Sequence, residues 1–127
     1  MKCYAVDDET HGITMIKGYV NQTPGLLFVG SQTDPYLALE EIKSLQPDIV
    51  FTDINMPVMH GIELASMVDH ISKIVFISGN FQTSFSNVDW KDYLYLKKPA
   101  TYKRFLEVIS ICKKVIVDPL PRHNLKL

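Results

Sequence analysis

The sequence lacks most of the features that would place it outside the ordinary run of globular domains. It holds two cysteines, Cys3 and Cys112, with no metal-ligand or redox spacing, so they read as buried free thiols of a cytoplasmic protein. No apolar run approaches the ~20 residues that a membrane span needs, and no charged-then-apolar leader marks secretion. Neither sign of charge is in excess. Lys and Arg number 13 against 14 Asp and Glu, a formal net charge of -1, which argues against binding nucleic acid by bulk neutralisation of phosphates. The four histidines, His11, His60, His70 and His123, have no ligand spacing. There are no internal repeats and no low-complexity tracts. A chain of 127 residues with 46% hydrophobic residues is the size of one globular core.

What is present is an alternation of short apolar runs with longer amphipathic stretches. The runs are Cys3 to Val6, Leu26 to Val29, Ile49 to Phe51, Ile74 to Ile77 and Tyr93 to Leu96. Each is too short for a helix and continuous rather than alternating, as expected of strands buried on both faces of a helix-covered parallel sheet. Helical spacing groups Ile13, Ile16, Tyr19 and Val20, then Tyr36, Leu39 and Ile42, then Ile62, Ala65 and Val68, and last Phe105, Leu106, Ile109, Cys112 and Ile116. Pro24-Gly25 and Pro47 punctuate the early connections. The pattern predicts a single α/β domain with five strands. The stretch from Asn80 to Trp90 is rich in Ser, Asn, Thr and aromatic residues, so a short or irregular fourth helix is expected there. From Asp118 onward Pro119 and Pro121 interrupt a segment without periodicity, which reads as a linker or loose tail.

In open parallel sheets ligands bind beyond the carboxyl ends of the strands. Asp7-Asp8-Glu9 follow the first run, Asp53 ends the third, Ser78 ends the fourth, and Lys97-Lys98-Pro99 follow the fifth. Adjacent first and third strands would gather Asp7, Asp8 and Asp53 into one cleft, where mutual repulsion raises carboxylate pKa values unless a cation intervenes. Hard oxygen donors open to water suit Mg²⁺. A hydroxyl and an ammonium at the rim would complement an anion beside the metal, a set suited to phosphoryl transfer.

These residues resemble the receiver domain of bacterial two-component response regulators. The resemblance rests on Val6-Asp7-Asp8-Glu9, on Asp53-Ile54-Asn55-Met56-Pro57-Val58-Met59-His60-Gly61, on Ser78-Gly79 and on Lys98-Pro99. The family pattern D-x-x-M-P-x-M-x-G is met at every fixed position, and the spacing from Ser78 to Lys98 suits the family. Any one motif occurs by chance; all four in order, each at a strand end, do not. The resemblance implies a flavodoxin-like doubly wound sheet of order 2-1-3-4-5 with helices on both faces. It further implies a receiver over residues 1–117 and a linker or C-terminal tail over 118–127. Asp53 would be the phosphoacceptor, served by a sensor histidine kinase. Asp8 would bind Mg²⁺ directly, Asp7 through water, and the Asn55 backbone carbonyl would add a ligand. Ser78 and Lys98 would contact phosphoryl oxygens, the bond before Pro99 would be cis, and Tyr95 would be the switch residue on an output surface. The doubled lysine leaves Lys97 as a rival that only the adjacent proline disfavours.

Two fates of such a switch follow. Lys98 to Phe105, and the opening Met1 to Glu9, resemble the LytTR group of DNA-binding regulators, which implies control of transcription through an output domain outside this chain, with a phosphorylation-dependent homodimer as a further partner state. The alternative is a stand-alone receiver that relays phosphate or docks onto a partner. A reading from another class, a phosphohydrolase with an aspartyl nucleophile, requires an acid two residues after Asp53, where this chain has Asn55.

Overall fold

Every strand of the protein carries apolar side chains to both of its faces, and that settles the layer order. The computed structural model describes residues 1–79 and 93–117, with side chains as far as Lys114. The strands are β1 (Lys2–Val6), β2 (Leu27–Gln32), β3 (Ile49–Asp53), β4 (Lys73–Ser78) and β5 (Leu94–Lys97), and the helices α1 (Thr10–Gln22), α2 (Pro35–Leu45), α3 (Gly61–Val68) and α4 (Tyr102–Val117). The strands form one sheet in the order β2-β1-β3-β4-β5, all pairs parallel. Cys3, Ala5, Phe51, Val75, Ile77 and Leu96 point to one side, where Ile16 and Val20 of α1 and Phe105, Val108, Ile109 and Cys112 of α4 cover them. Tyr4, Val6, Val50, Ile74 and Phe76 point to the other, against Ala38 and Ile42 of α2 and Leu64, Ala65 and Val68 of α3. Alternate residues of β1 thus feed two cores. Fully buried side chains such as Phe51 and Phe76 each contribute roughly 2–3 kcal/mol by leaving water.

Local chemistry sets the helix ends. The Asp34 carboxylate accepts from the Tyr36 amide at 2.9 Å and Pro35 fills the first turn of α2, a favoured start because proline has no amide to leave unpaired there. Gln46 ends α2 in the left-handed region at φ 52.

Some element edges differ from the sequence pattern. The second strand extends to Gln32 rather than stopping at Val29, because Gly30, Ser31 and Gln32 pair with Tyr4, Ala5 and Val6 although they carry no hydrophobic signal. The fifth begins at Leu94 and includes Lys97. Tyr36 and Leu106, grouped with buried stripes by spacing, are 54% and 39% exposed; Pro35, Ala38 and Ile42 make the inner face of α2. Leu64, outside the predicted stripe, is fully buried. The expected helix over 80–90, with Asn80 and Trp90, and the tail over 118–127 lie outside the described residues, as does the side chain of Ile116. No helix among the described residues is long and apolar enough to cross a membrane.

Candidate functional site at the strand ends

Because β1 and β3 are parallel neighbours with Val6 opposite Thr52, the next residue of each strand, Asp7 and Asp53, projects from the same edge. Asp7, Asp8 and Asp53 each offer a carboxylate oxygen, and the three lie within 4.8 Å of one another. Asp7 and Asp53 are buried at 2% and 6% exposure, while Asp8 is exposed. β5 lies two strands from β3, yet Lys98, just beyond its end, reaches back across β4. Its ammonium stands 3.0 Å from Asp7 Oδ2 and 3.6 Å from Asp53 Oδ2.

The backbone around these groups is closely tied. The Asp7 amide donates to the Gln32 carbonyl at 3.2 Å, and Asp7 Oδ1 accepts from the Glu9 amide at 2.9 Å. The Lys98 amide donates to the Ser78 carbonyl at 2.9 Å. The Lys98–Pro99 peptide bond is cis. After β3 the chain dips alternately into the core: Ile54, Met56 and Met59 are buried, while Asn55, Pro57, Val58 and His60 are exposed. The two methionines therefore anchor the loop from below. Gly61 closes it by donating to the Ile54 carbonyl at 2.9 Å. A Cβ at Gly61 would stand 1.9 Å from the Asp53 carbonyl oxygen, so glycine is the residue that permits this approach.

Burial pushes the Asp53 carboxyl up from its ordinary 3.8 to about 6, with Lys98 opposing, Asp7 and Asp8 reinforcing and a hydrogen bond from the Asn55 backbone opposing. Burial works against the Lys98 ammonium, but its bond to Asp7 and the charges of Asp53, Asp7 and Glu9 outweigh it and raise its pKa. Two carboxylates share one lysine, and a third faces water. Oxygen-only donors with this excess of negative charge fit a hard divalent cation.

The structure separates Lys98 from Lys97. Lys97 is exposed and lines a shallow groove of about 400 Å³ with Tyr95, Pro99, Ala100, Thr101 and Arg104. Ser78 is buried at 2% exposure, one residue beyond the Asp53–Ile77 pairing, on the strand between Asp53 and Lys98. Tyr95 is half-buried, and its hydroxyl donates to the Ser78 carbonyl at 3.3 Å; burial pushes its phenol up. The Asn55 side chain faces solvent.

Two contributors escaped the sequence reading. Gly12 is buried on α1, and a Cβ there would lie 2.0 Å from Asp7 Oδ2. The signal was available as a glycine inside a helical pattern, where it is disfavoured unless packing requires it. Thr52 is a second, its buried hydroxyl donating to the Asp53 carbonyl at 3.0 Å.

A parallel sheet of this order with an acidic cluster and a lysine at its carboxyl edge is a doubly wound α/β fold with its candidate site where such sheets bind ligands. The chain belongs to the response regulator receiver domain family, whose model matches residues 4–110. It is 30% identical over 127 residues to an uncharacterized response regulatory protein of Yersinia pestis, covering 98% of this chain and 52% of that one. It is 38% identical over 80 residues to a protein-glutamate methylesterase/protein-glutamine glutaminase of Vibrio vulnificus, covering 61% and 23%. Among solved structures, the signal receiver domain of the putative response regulator NarL from Mycobacterium tuberculosis superposes with a TM-score of 0.78 at 22% identity, covering 89% of this chain and 95% of that one. The chain spans about half the length of the curated response regulatory proteins it matches.

Proposed function

We propose that the chain is a phosphorylation-controlled receiver in which Asp53 accepts a phosphoryl group from a sensor histidine kinase. The observation that carries this reading is the gathering of Asp7, Asp8 and Asp53 within 4.8 Å with the Lys98 ammonium 3.0 and 3.6 Å from Asp7 and Asp53. A carboxylate oxygen of Asp53 attacks phosphorus, the phosphorus–nitrogen bond of the donor phosphohistidine breaks, and the departing imidazole takes up a proton. Asp53 is suited to the attack because a carboxyl with a pKa of about 6 is ionised at neutral pH yet more basic than an ordinary aspartate. Lys98 neutralises charge on a phosphoryl oxygen, and the Ser78 hydroxyl donates to another. Asp7, Asp8, Asp53 and the Asn55 backbone carbonyl would hold Mg²⁺, which supplies screening of the carboxylates and of the incoming phosphate. Water attack on phosphorus later restores the carboxylate, so the domain turns over its own phosphate without an external substrate.

The switch runs through Tyr95. Drawing Ser78 toward a phosphate changes the surroundings of the Tyr95 hydroxyl, which bonds the Ser78 carbonyl, and so alters the surface around Tyr95, Lys97 and Arg104. The receiver occupies residues 1–117, followed by a linker or C-terminal tail over 118–127. The relatives' extra length supports an output segment outside this chain, which we read as a DNA-binding domain controlling transcription.

Intact-mass measurement after incubation with acetyl phosphate and Mg²⁺ tests the chemistry. The expected result is gain of one phosphoryl group by the wild-type chain and none by the Asp53→Ala variant. No gain in the wild type, or an equal gain in the variant, overturns the reading.

A further inference from the structure

Lys98 enters the site from a short segment between β5 and α4, and that segment is fastened on both sides. Its first fastening is the bond from the Lys98 amide to the Ser78 carbonyl, 2.9 Å. Two residues on, the Ala100 carbonyl accepts a 2.7 Å hydrogen bond from the hydroxyl of Tyr19, 81 residues away in sequence. Tyr19 belongs to α1, the helix whose Gly12 abuts the Asp7 carboxylate. Its ring packs against Tyr102 and Phe105 with centroids 5.3 and 5.4 Å away. Thr23 braces the same corner, donating to the Tyr19 carbonyl at 2.7 Å and sharing a 2.9 Å bond with the Tyr102 hydroxyl.

A half-buried tyrosine bonded to a carbonyl is most often a satisfied core residue. Here the acceptor matters more than the bond. Ala100 is 6% exposed and follows the proline adjoining Lys98, so at its carbonyl α1 grips the lysine-bearing segment two residues from Lys98. A lysine side chain has four rotatable bonds, and its ammonium is well placed only if its backbone is.

We propose that Tyr19 is a positioning residue for phosphoryl transfer: its hydroxyl fixes the Ala100 carbonyl and so holds the Lys98 ammonium where it meets both Asp7 and Asp53. The proposal rests on the reading of Asp53 as acceptor. One helix then sets both partners of the 3.0 Å Lys98–Asp7 pair, Asp7 through the space at Gly12 and Lys98 through Tyr19.

The test is the initial rate of phosphorylation by acetyl phosphate over a Mg²⁺ series, with thermal midpoints, for wild type, Tyr19→Phe and Thr23→Val. Tyr19→Phe removes one hydroxyl and keeps the ring. Thr23→Val cuts both bonds of the Thr23 hydroxyl in the same corner, to the Tyr19 carbonyl and to the Tyr102 hydroxyl, and leaves the bond from the Tyr19 hydroxyl to Ala100 in place. For Tyr19→Phe we expect a plateau rate lowered about five- to tenfold, with half-saturating Mg²⁺ unchanged within about twofold because the carboxylates are untouched. Thr23→Val keeps the wild-type plateau even if its midpoint falls as far. An unchanged plateau in Tyr19→Phe overturns the proposal. So does equal slowing in Thr23→Val, which would trace the effect to looser packing, and so does a shift in half-saturating Mg²⁺. A wild-type chain that gains no phosphoryl group sinks the acceptor reading itself, and this inference with it.

Discussion

Replacing Asp53 by asparagine should stabilise the protein at neutral pH, and the size of the gain follows from the site. The Asp53 carboxyl is raised from 3.8 to about 6, first by burial and then by Asp7 and Asp8 against the pull of Lys98. Between those two values the folded chain binds more protons than the unfolded chain. Stability therefore falls as pH rises through this window, and the full penalty is present above pH 6. A shift of that size corresponds to roughly 3 kcal/mol when the group is ionised in both states. Asparagine has nearly the same shape, carries no charge at any pH, and leaves the Lys98–Asp7 pair at 3.0 Å in place. Allowing half of the penalty to be relieved by water at the rim leaves about 1–2 kcal/mol, or roughly 4–8 °C in thermal midpoint for a domain of this size. The assay is thermal unfolding followed by circular dichroism, in chelator-treated buffer, at pH 7.5 and pH 5. The Asp53→Asn variant should melt higher at pH 7.5, and the gap should shrink to about half at pH 5, inside the window, and close only below pH 3.8. A variant no more stable than wild type at pH 7.5, or a gap of the same size at both pH values, refutes the reasoning.

Three other outcomes follow from the same geometry. Gly12→Ala should gain helix propensity worth about 1 kcal/mol while its Cβ, 2.0 Å from Asp7 Oδ2, displaces that carboxylate; calorimetric titration should show Mg²⁺ affinity reduced at least about tenfold with little loss of thermal midpoint. Gly61→Ala sets a Cβ 1.9 Å from the Asp53 carbonyl oxygen, and since backbone at the end of a central strand cannot swing aside, denaturant unfolding should show a loss of about 3 kcal/mol or more. Cys3 and Cys112 are fully buried and burial pushes both thiols up to about 12; a thiol reagent at pH 8 should leave both unmodified in the native chain and modify both after denaturation.

The sequence carried the sheet clearly because strands covered on both faces must be apolar at consecutive positions, as in Ile74 to Ile77. It carried the edge strand poorly: Gly30, Ser31 and Gln32 pair fully with β1, but pairing is a backbone property and leaves no mark on side-chain chemistry. Spacing also overstated the inner faces of helices. Tyr36 and Leu106 share the period of their buried neighbours and still face water, since a 3.6-residue period fixes an angle and not the width of the covered stripe.

The candidate site shows the same division between chemistry and space. Charged residues at strand ends are visible as letters, so Asp7, Asp8, Asp53 and Lys98 could be read in advance, and their convergence needed only that β1 and β3 be neighbours. What the letters do not carry is the room those groups occupy. Gly12 makes space for one carboxylate, and Gly61 lets the chain turn back over the carbonyl of another. In a sequence each is only the absence of a side chain, and its meaning depends on an atom contributed by a different element. Lys97 and Lys98 make the point in reverse. They are chemically identical neighbours, yet one lies exposed along a groove and the other bridges two buried acids, because the chain leaves β5 between them and only the second residue stands beyond the strand's end.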